Sequence, residues 1–214
     1  MADRHLQKLN VVVGTGTAAL IVAAVFFLVW PARIETDLSA PQAKQLVAVL
    51  APKLEQGDLV FRRGRGFWSE TFSDKAGSNL SHVGVLIHEQ DGWGVVHAEA
   101  DDLSLIGGVQ LTPLDLFLTG SALRHVRRIQ TSEVARETFV QNIRKHLRQQ
   151  TPFDTSLSLE DNAARVYCSE LIWSAALHAG IELARPRDLL GKSYITIDDL
   201  FFSPLLSVVP AQPH

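Results

Sequence analysis

The chain holds a single cysteine, Cys168, and eight histidines. A thiol with an imidazole for its base is a common pairing in nucleophilic acyl chemistry. Cys168 lies in Tyr167-Cys168-Ser169-Glu170-Leu171-Ile172, which opens a stretch that reads as a helix ending at Gly180. A lone cysteine is ordinarily a small buried hydrophobe. At a helix start, however, the unpaired amides favour the thiolate, the nucleophilic form. The histidines sort by context. His5 and His214 are terminal, His88 borders a turn, and His125 and His146 fall among Arg and Lys. His178 is almost three helical turns beyond Cys168. His82 and His97 remain, each inside an apolar run. A buried strand histidine must satisfy both ring nitrogens or titrate, and a structural histidine is the plain reading of either one alone. Two on neighbouring strands read as an interacting pair.

The elements that must position these groups follow from pattern. Gln56 to Phe61 reads as a turn entering a strand, and Arg62 to Asn79 as a long loop or short helix. Ser81 to Ile87 and Trp93 to Ala98 flank an Asp91-Gly92 turn and form a hairpin carrying both histidines. Val109 to Thr112 and Leu123 to Ile129 read as further strands. From Ser132 to Gln150 the pattern is helical: Ser132 can cap, and Val134, Phe139, Ile143 and Leu147 share a face. The stretch Asp188 to Val209 is apolar enough to pack on the core, to cover the cleft or to touch the bilayer, and its residues do not choose among these.

In this order the motifs resemble the circularly permuted branch of the papain-like NlpC-type amidases, with YiiX-like proteins as relatives. Four stretches carry the resemblance, between Gln56 and Gly180. They are Gly57-Asp58-Leu59-Val60-Phe61-Arg62-Arg63-Gly64, Ser81-His82-Val83-Gly84-Val85, Val95-Val96-His97-Ala98 running on to Val109–Leu114, and Tyr167–Ile172. Histidine upstream of cysteine is itself the permutation. The resemblance implies an α+β, papain-like fold with an antiparallel sheet packed against helices. It also implies Cys168 as nucleophile, His82 as general base and a polar third residue that orients the imidazole. Relatives commonly carry glutamate-alanine at that third place, where this chain has His97-Ala98. Glu99 shares a strand face with His97 and could serve instead; His97 is preferred. The Cys168 amide is the natural oxyanion donor. Tyr167 and Ser81 are candidate substrate contacts. So is Arg63, although solvated loop charge is the plainer account of at least two among Arg62, Arg63 and Arg65. Asp58 reads as a structural turn residue.

Composition narrows the field. One cysteine excludes an internal disulfide and a cysteine-rich zinc site, and no His-Glu-x-x-His spacing occurs, so neither metal nor cofactor is expected. A net charge of -3 without a basic stripe excludes nucleic acid. Val11 to Trp30 carries no charge and matches the roughly 20 residues a membrane-spanning helix needs. The expected organisation is a tail over 1–10, an anchor over 11–30, a linker over 31–52 and a catalytic domain over 53–214. Arg4 and Lys8 before the anchor favour a single-pass inner-membrane protein with its domain in the periplasm. The expected partners are the membrane and an amide- or ester-containing small molecule, peptide or lipid. Amide hydrolysis leads. A lipid-directed acyltransferase or esterase on the same fold, or a catalytically silent binding module, are the alternatives.

Overall fold

The computed structural model describes residues 37–64, 78–101, 103–122 and 124–210. The chain divides into Met1–Glu35 and Thr36–His214, and the described residues belong to the second unit. The anchor expected at Val11–Trp30 and residues 65–77 of the Arg62–Asn79 loop lie outside the described residues. Among the described residues, no helix is long and apolar enough to cross a membrane.

A six-stranded antiparallel sheet organises the unit. Its strands are β1 (Leu59–Arg62), β2 (His82–Glu89), β3 (Gly92–Ala100), β4 (Gly107–Pro113), β5 (Arg124–Ile129) and β8 (Leu206–Val208). They lie in the order β4-β3-β2-β1-β5-β8. The hairpin expected from the Asp91-Gly92 turn is β2–β3, paired from Val85↔Val96 to Glu89↔Gly92. A separate small hairpin joins β6 (Arg187–Leu189) to β7 (Lys192–Tyr194).

Helices cover both faces because the strands alternate. Leu59, Phe61, Val83, Val85, Ile87 and Val96 share one core cluster with Phe139, Ile143, Leu171 and Ile172. The last four belong to α3 (Glu133–Gln149) and α4 (Cys168–Leu177). Val60, Leu86 and Val95 instead join Ala43, Leu50, Leu114, Phe117 and Leu118. These helical residues lie on α1 (Ala40–Leu50) and α2 (Leu114–Leu118). The stretch read as a linker, 31–52, is thus helical over α1, and its Ala43 and Leu50 are buried in the domain core. On α3, Ser132 caps as expected by accepting from Ala135 N–H at 3.2 Å. Val134 departs from the expected apolar face and is exposed, because it lies in the first turn beyond the sheet's cover. A short α5 (Ile197–Phe201) completes the helices named here.

One buried ion pair secures the turn into β1. Asp58 is fully buried. It accepts from Glu55 N–H at 2.9 Å and from Arg128 Nε and Nη2, both at 2.8 Å. A structural role for Asp58 is what this geometry supports.

Candidate functional site

His82 is the first residue of β2, and its imidazole meets His97 from β3. His82 Nε2 and His97 Nδ1 are 2.8 Å apart, with the rings nearly perpendicular. His97 Nε2 reaches Thr112 Oγ1 on β4 at 2.9 Å. A line of hydrogen bonds therefore runs across three adjacent strands. Gly84 makes room for it. A Cβ there would lie 3.1 Å from His97 Cβ and would collide with Val95.

Behind the pair stands Glu99, whose Oε2 is 3.7 Å from His97 Nδ1. Gln110 Nε2 donates to Glu99 Oε2 at 3.2 Å, and Arg62 Nη2 lies 3.3 Å from Oε1. Arg62 also donates from Nη1 to Phe117 O at 2.9 Å and stacks its guanidinium 4.3 Å from the Phe117 ring centroid. The same ring packs on both imidazoles, at 5.6 Å from His82 and 5.0 Å from His97. Burial, then His97 and Arg62, hold His82 well below the usual histidine range. Burial, then Arg62, bring His97 down to about 3. Both imidazoles are neutral at pH 7, so the approach of Glu99 to His97 is not an ion pair.

Cys168 opens α4, as expected, and α4 packs on β2. Its sulfur faces the backbone N–H groups of Val83, Ser169 and Cys168 itself. Val83 is the chain neighbour of His82, so the sulfur lies beside the backbone at the start of β2, while the His82 ring packs on Phe117 of α2. The thiol does not carry the lowered pKa expected of a helix start. Burial pushes it up to about 11, and the surrounding amides only partly oppose that. A helix terminus contributes a partial charge, whereas desolvation acts on the whole thiolate. In this state the thiol is protonated.

The remaining candidates fall around this centre unevenly. Tyr167 is buried, and its hydroxyl accepts from Ile195 N–H at 2.8 Å. Ser81 is buried and its Oγ accepts from Gly64 N–H at 2.9 Å, which ties the strand start to the end of β1. Arg63 is half-buried and its carbonyl accepts from Ala122 N–H at 3.2 Å. It is Arg62, not Arg63, that enters the histidine cluster. The alternation of β1 explains this: Arg62 follows Val60 onto the α2 face. Thr112 and Phe117 carried no signal of their own, because strand register and the packing of α2 are not readable from local pattern.

Beside Cys168 lies a cavity of about 640 Å³. Its walls include Leu80, Phe153, Leu157, Tyr167, Ile195 and the β6–β7 hairpin, with Leu189 and Leu190. Arg187 and Lys192 also contribute to it, Arg187 being paired with Asp199. Of the roles open to Asp188–Val209, packing on the core and bordering the cleft are both seen. The hairpin walls the cavity, and β8 extends the sheet.

Residues 53–211 match the family described as permuted papain-like amidase enzyme, YaeF/YiiX, C92 family. A solved structure from Escherichia coli O157:H7, titled as metalloprotein yiiX, superposes with a TM-score of 0.63 at 22% identity. The alignment covers 74% of this chain and 97% of that one. No curated protein matches. With most of its length matched and its fold shared, the chain belongs to the YaeF/YiiX family of permuted papain-like cysteine amidases.

Proposed function

We propose that this protein hydrolyses an amide through an acyl-thioester on Cys168, with His82 as the proton carrier. The observation that carries the reading is the His82 Nε2···His97 Nδ1 contact at 2.8 Å, beside a thiol lodged at Val83 N–H. In the tautomer this reading assigns, His97 Nε2–H donates to Thr112 Oγ1 and His97 Nδ1 accepts from His82 Nε2–H. That leaves His82 Nδ1 as the free base. Because thiol and imidazole are both neutral at rest, proton transfer accompanies attack rather than preceding it. As Cys168 Sγ bonds the carbonyl carbon, its proton passes to His82 Nδ1. The oxyanion takes the Cys168 N–H at the start of α4. Collapse breaks the C–N bond, and His82 returns the proton to the leaving amine. Water then attacks the thioester with His82 again as base, releasing the acid and the thiol. His97 orients and Glu99 offsets the transient imidazolium charge.

The apolar cavity beside Cys168 favours a substrate whose acyl part is apolar, which brings the lipid-directed ester or transfer reaction close behind amide hydrolysis. An anchor at Val11–Trp30, with the domain in the periplasm, would place this cleft near bilayer lipid and cell-wall peptide alike. The relative's title names a metalloprotein. The donor atoms of His82, His97 and Glu99 lie within 4.8 Å of one another and suit a transition metal ion. Such an ion supplies Lewis acidity when bound. No step above passes through it.

Intact-mass spectrometry during turnover of acyl p-nitroanilides with short and long acyl chains tests the reading. An acyl increment on Cys168, absent in Cys168→Ser and stabilised by the longer chains, is expected. Unchanged p-nitroaniline release by Cys168→Ser would sink it.

A further inference from the structure

We infer that His82, His97 and Glu99 form a binding site for a divalent transition metal ion, and that its occupation reversibly disables His82 as a base. The binding stands on geometry alone; the inhibitory consequence rests on the proposed role of His82. Two imidazoles and a carboxylate are a donor set for zinc, cobalt, nickel or iron, not for calcium or magnesium. The three ligand atoms lie within 4.8 Å of one another. A tetrahedral ion with bonds of about 2.0–2.1 Å needs its ligand atoms about 3.3 Å apart. His97 Nδ1 and Glu99 Oε2 are near that spacing at 3.7 Å. His82 Nε2 and His97 Nδ1, at 2.8 Å, must part by about half an ångström, exchanging one hydrogen bond for two metal bonds.

The surroundings fit a metal site as well as its ligands do. A ligating histidine ordinarily donates its other ring N–H to a fixed acceptor, and a ligating carboxylate is itself held by hydrogen bonds. His97 Nε2 has Thr112 Oγ1, and Glu99 has Gln110 and Arg62. The Glu99 side chain is 43% exposed and His82 is half-buried, which gives an ion a way in to the buried His97. Arg62 offsets the Glu99 charge. Attraction for a cation therefore comes from imidazole ligation more than from net charge, which again favours the transition metals.

The consequence follows from the tautomer. An ion on His82 Nε2 takes that lone pair, so the proton of the neutral ring must sit on Nδ1. Nδ1 is then a donor and cannot accept the thiol proton. The metal-bound and base-competent states exclude each other.

Zinc calorimetry and the visible ligand-field bands of Co²⁺ on the full chain in detergent test the site. One ion per chain is expected. His97→Ala and Glu99→Gln should each weaken binding at least tenfold. Glu99→Gln keeps a half-exposed, isosteric side chain and so guards against a folding artefact in His97→Ala. Cys168→Ser should leave affinity and Co²⁺ bands unchanged. Affinity that survives both ligand substitutions, or that disappears with Cys168→Ser, would overturn the assignment. Chelation should restore any turnover lost to zinc; retention of full turnover at saturating zinc would overturn the inhibitory part. Metal binding in a chain with no hydrolytic activity would refute the proposed hydrolysis and leave the site standing, so the two failures are distinguishable.

Discussion

Alkylation of Cys168 across pH distinguishes a resting neutral pair from a preformed thiolate–imidazolium pair. The thiol pKa moves from 9.0 to about 11 on folding. Two units lower the thiolate population at pH 7 about a hundredfold, because the fraction ionised falls tenfold per unit. A more basic thiolate is also a better nucleophile. With a Brønsted slope of about 0.4–0.5, two units return about six- to tenfold. The folded thiol should therefore react with iodoacetamide about tenfold more slowly than the same residue unfolded in urea, before any loss of access. The chain has only one cysteine, so the unfolded chain is its own reference and intact mass reads the product directly. Chelator in the buffer keeps metal out of the comparison. In the folded state the rate should keep rising about tenfold per unit from pH 7 towards pH 10. A plateau below pH 7, faster than the unfolded rate and lost in His82→Ala, would refute the neutral resting state. Proton transfer before attack would then replace the concerted step.

Burial raises the Glu170 carboxyl from 4.5 to about 8, so the folded state holds a proton that the unfolded chain releases. Its contribution is present below about pH 4.5 and is lost as pH rises towards 8, at no more than about 1.4 kcal/mol per unit. In urea unfolding of the chain from Thr36 onward, wild type should lose stability relative to Glu170→Gln between pH 5 and 8. Parallel curves would show that Glu170 does not titrate in that window. Gly84→Ala should cost about 1–3 kcal/mol by overpacking against Val95 and His97. It should also lower turnover by pushing His97 from His82, and an unaffected kcat would mean that the spacing of the pair is not critical.

Much of the site was legible in local pattern. The Asp91-Gly92 turn between two apolar runs placed His82 and His97 on paired strands, and the helix that Cys168 opens was expected to run to Gly180 but stops at Leu177. These features depend on turn chemistry and periodicity, which act over a few residues. Asp58 as a turn residue was readable for the same reason, although its partner Arg128, seventy positions on, was not.

Tertiary structure decided the rest. Whether His97 or Glu99 stands next to His82 depends on the register of β2 against β3, and the answer is His97 with Glu99 behind it. Thr112 joins through the register of β4, and Arg62 and Phe117 through the packing of α2. The cavity exists because the β6–β7 hairpin folds back beside Cys168. The thiol shows the difference most clearly. Sequence places Cys168 at a helix start, where a nearby partial charge favours ionisation. How far water is excluded from the sulfur depends on segments spread along the whole domain, and that desolvation outweighs the helix.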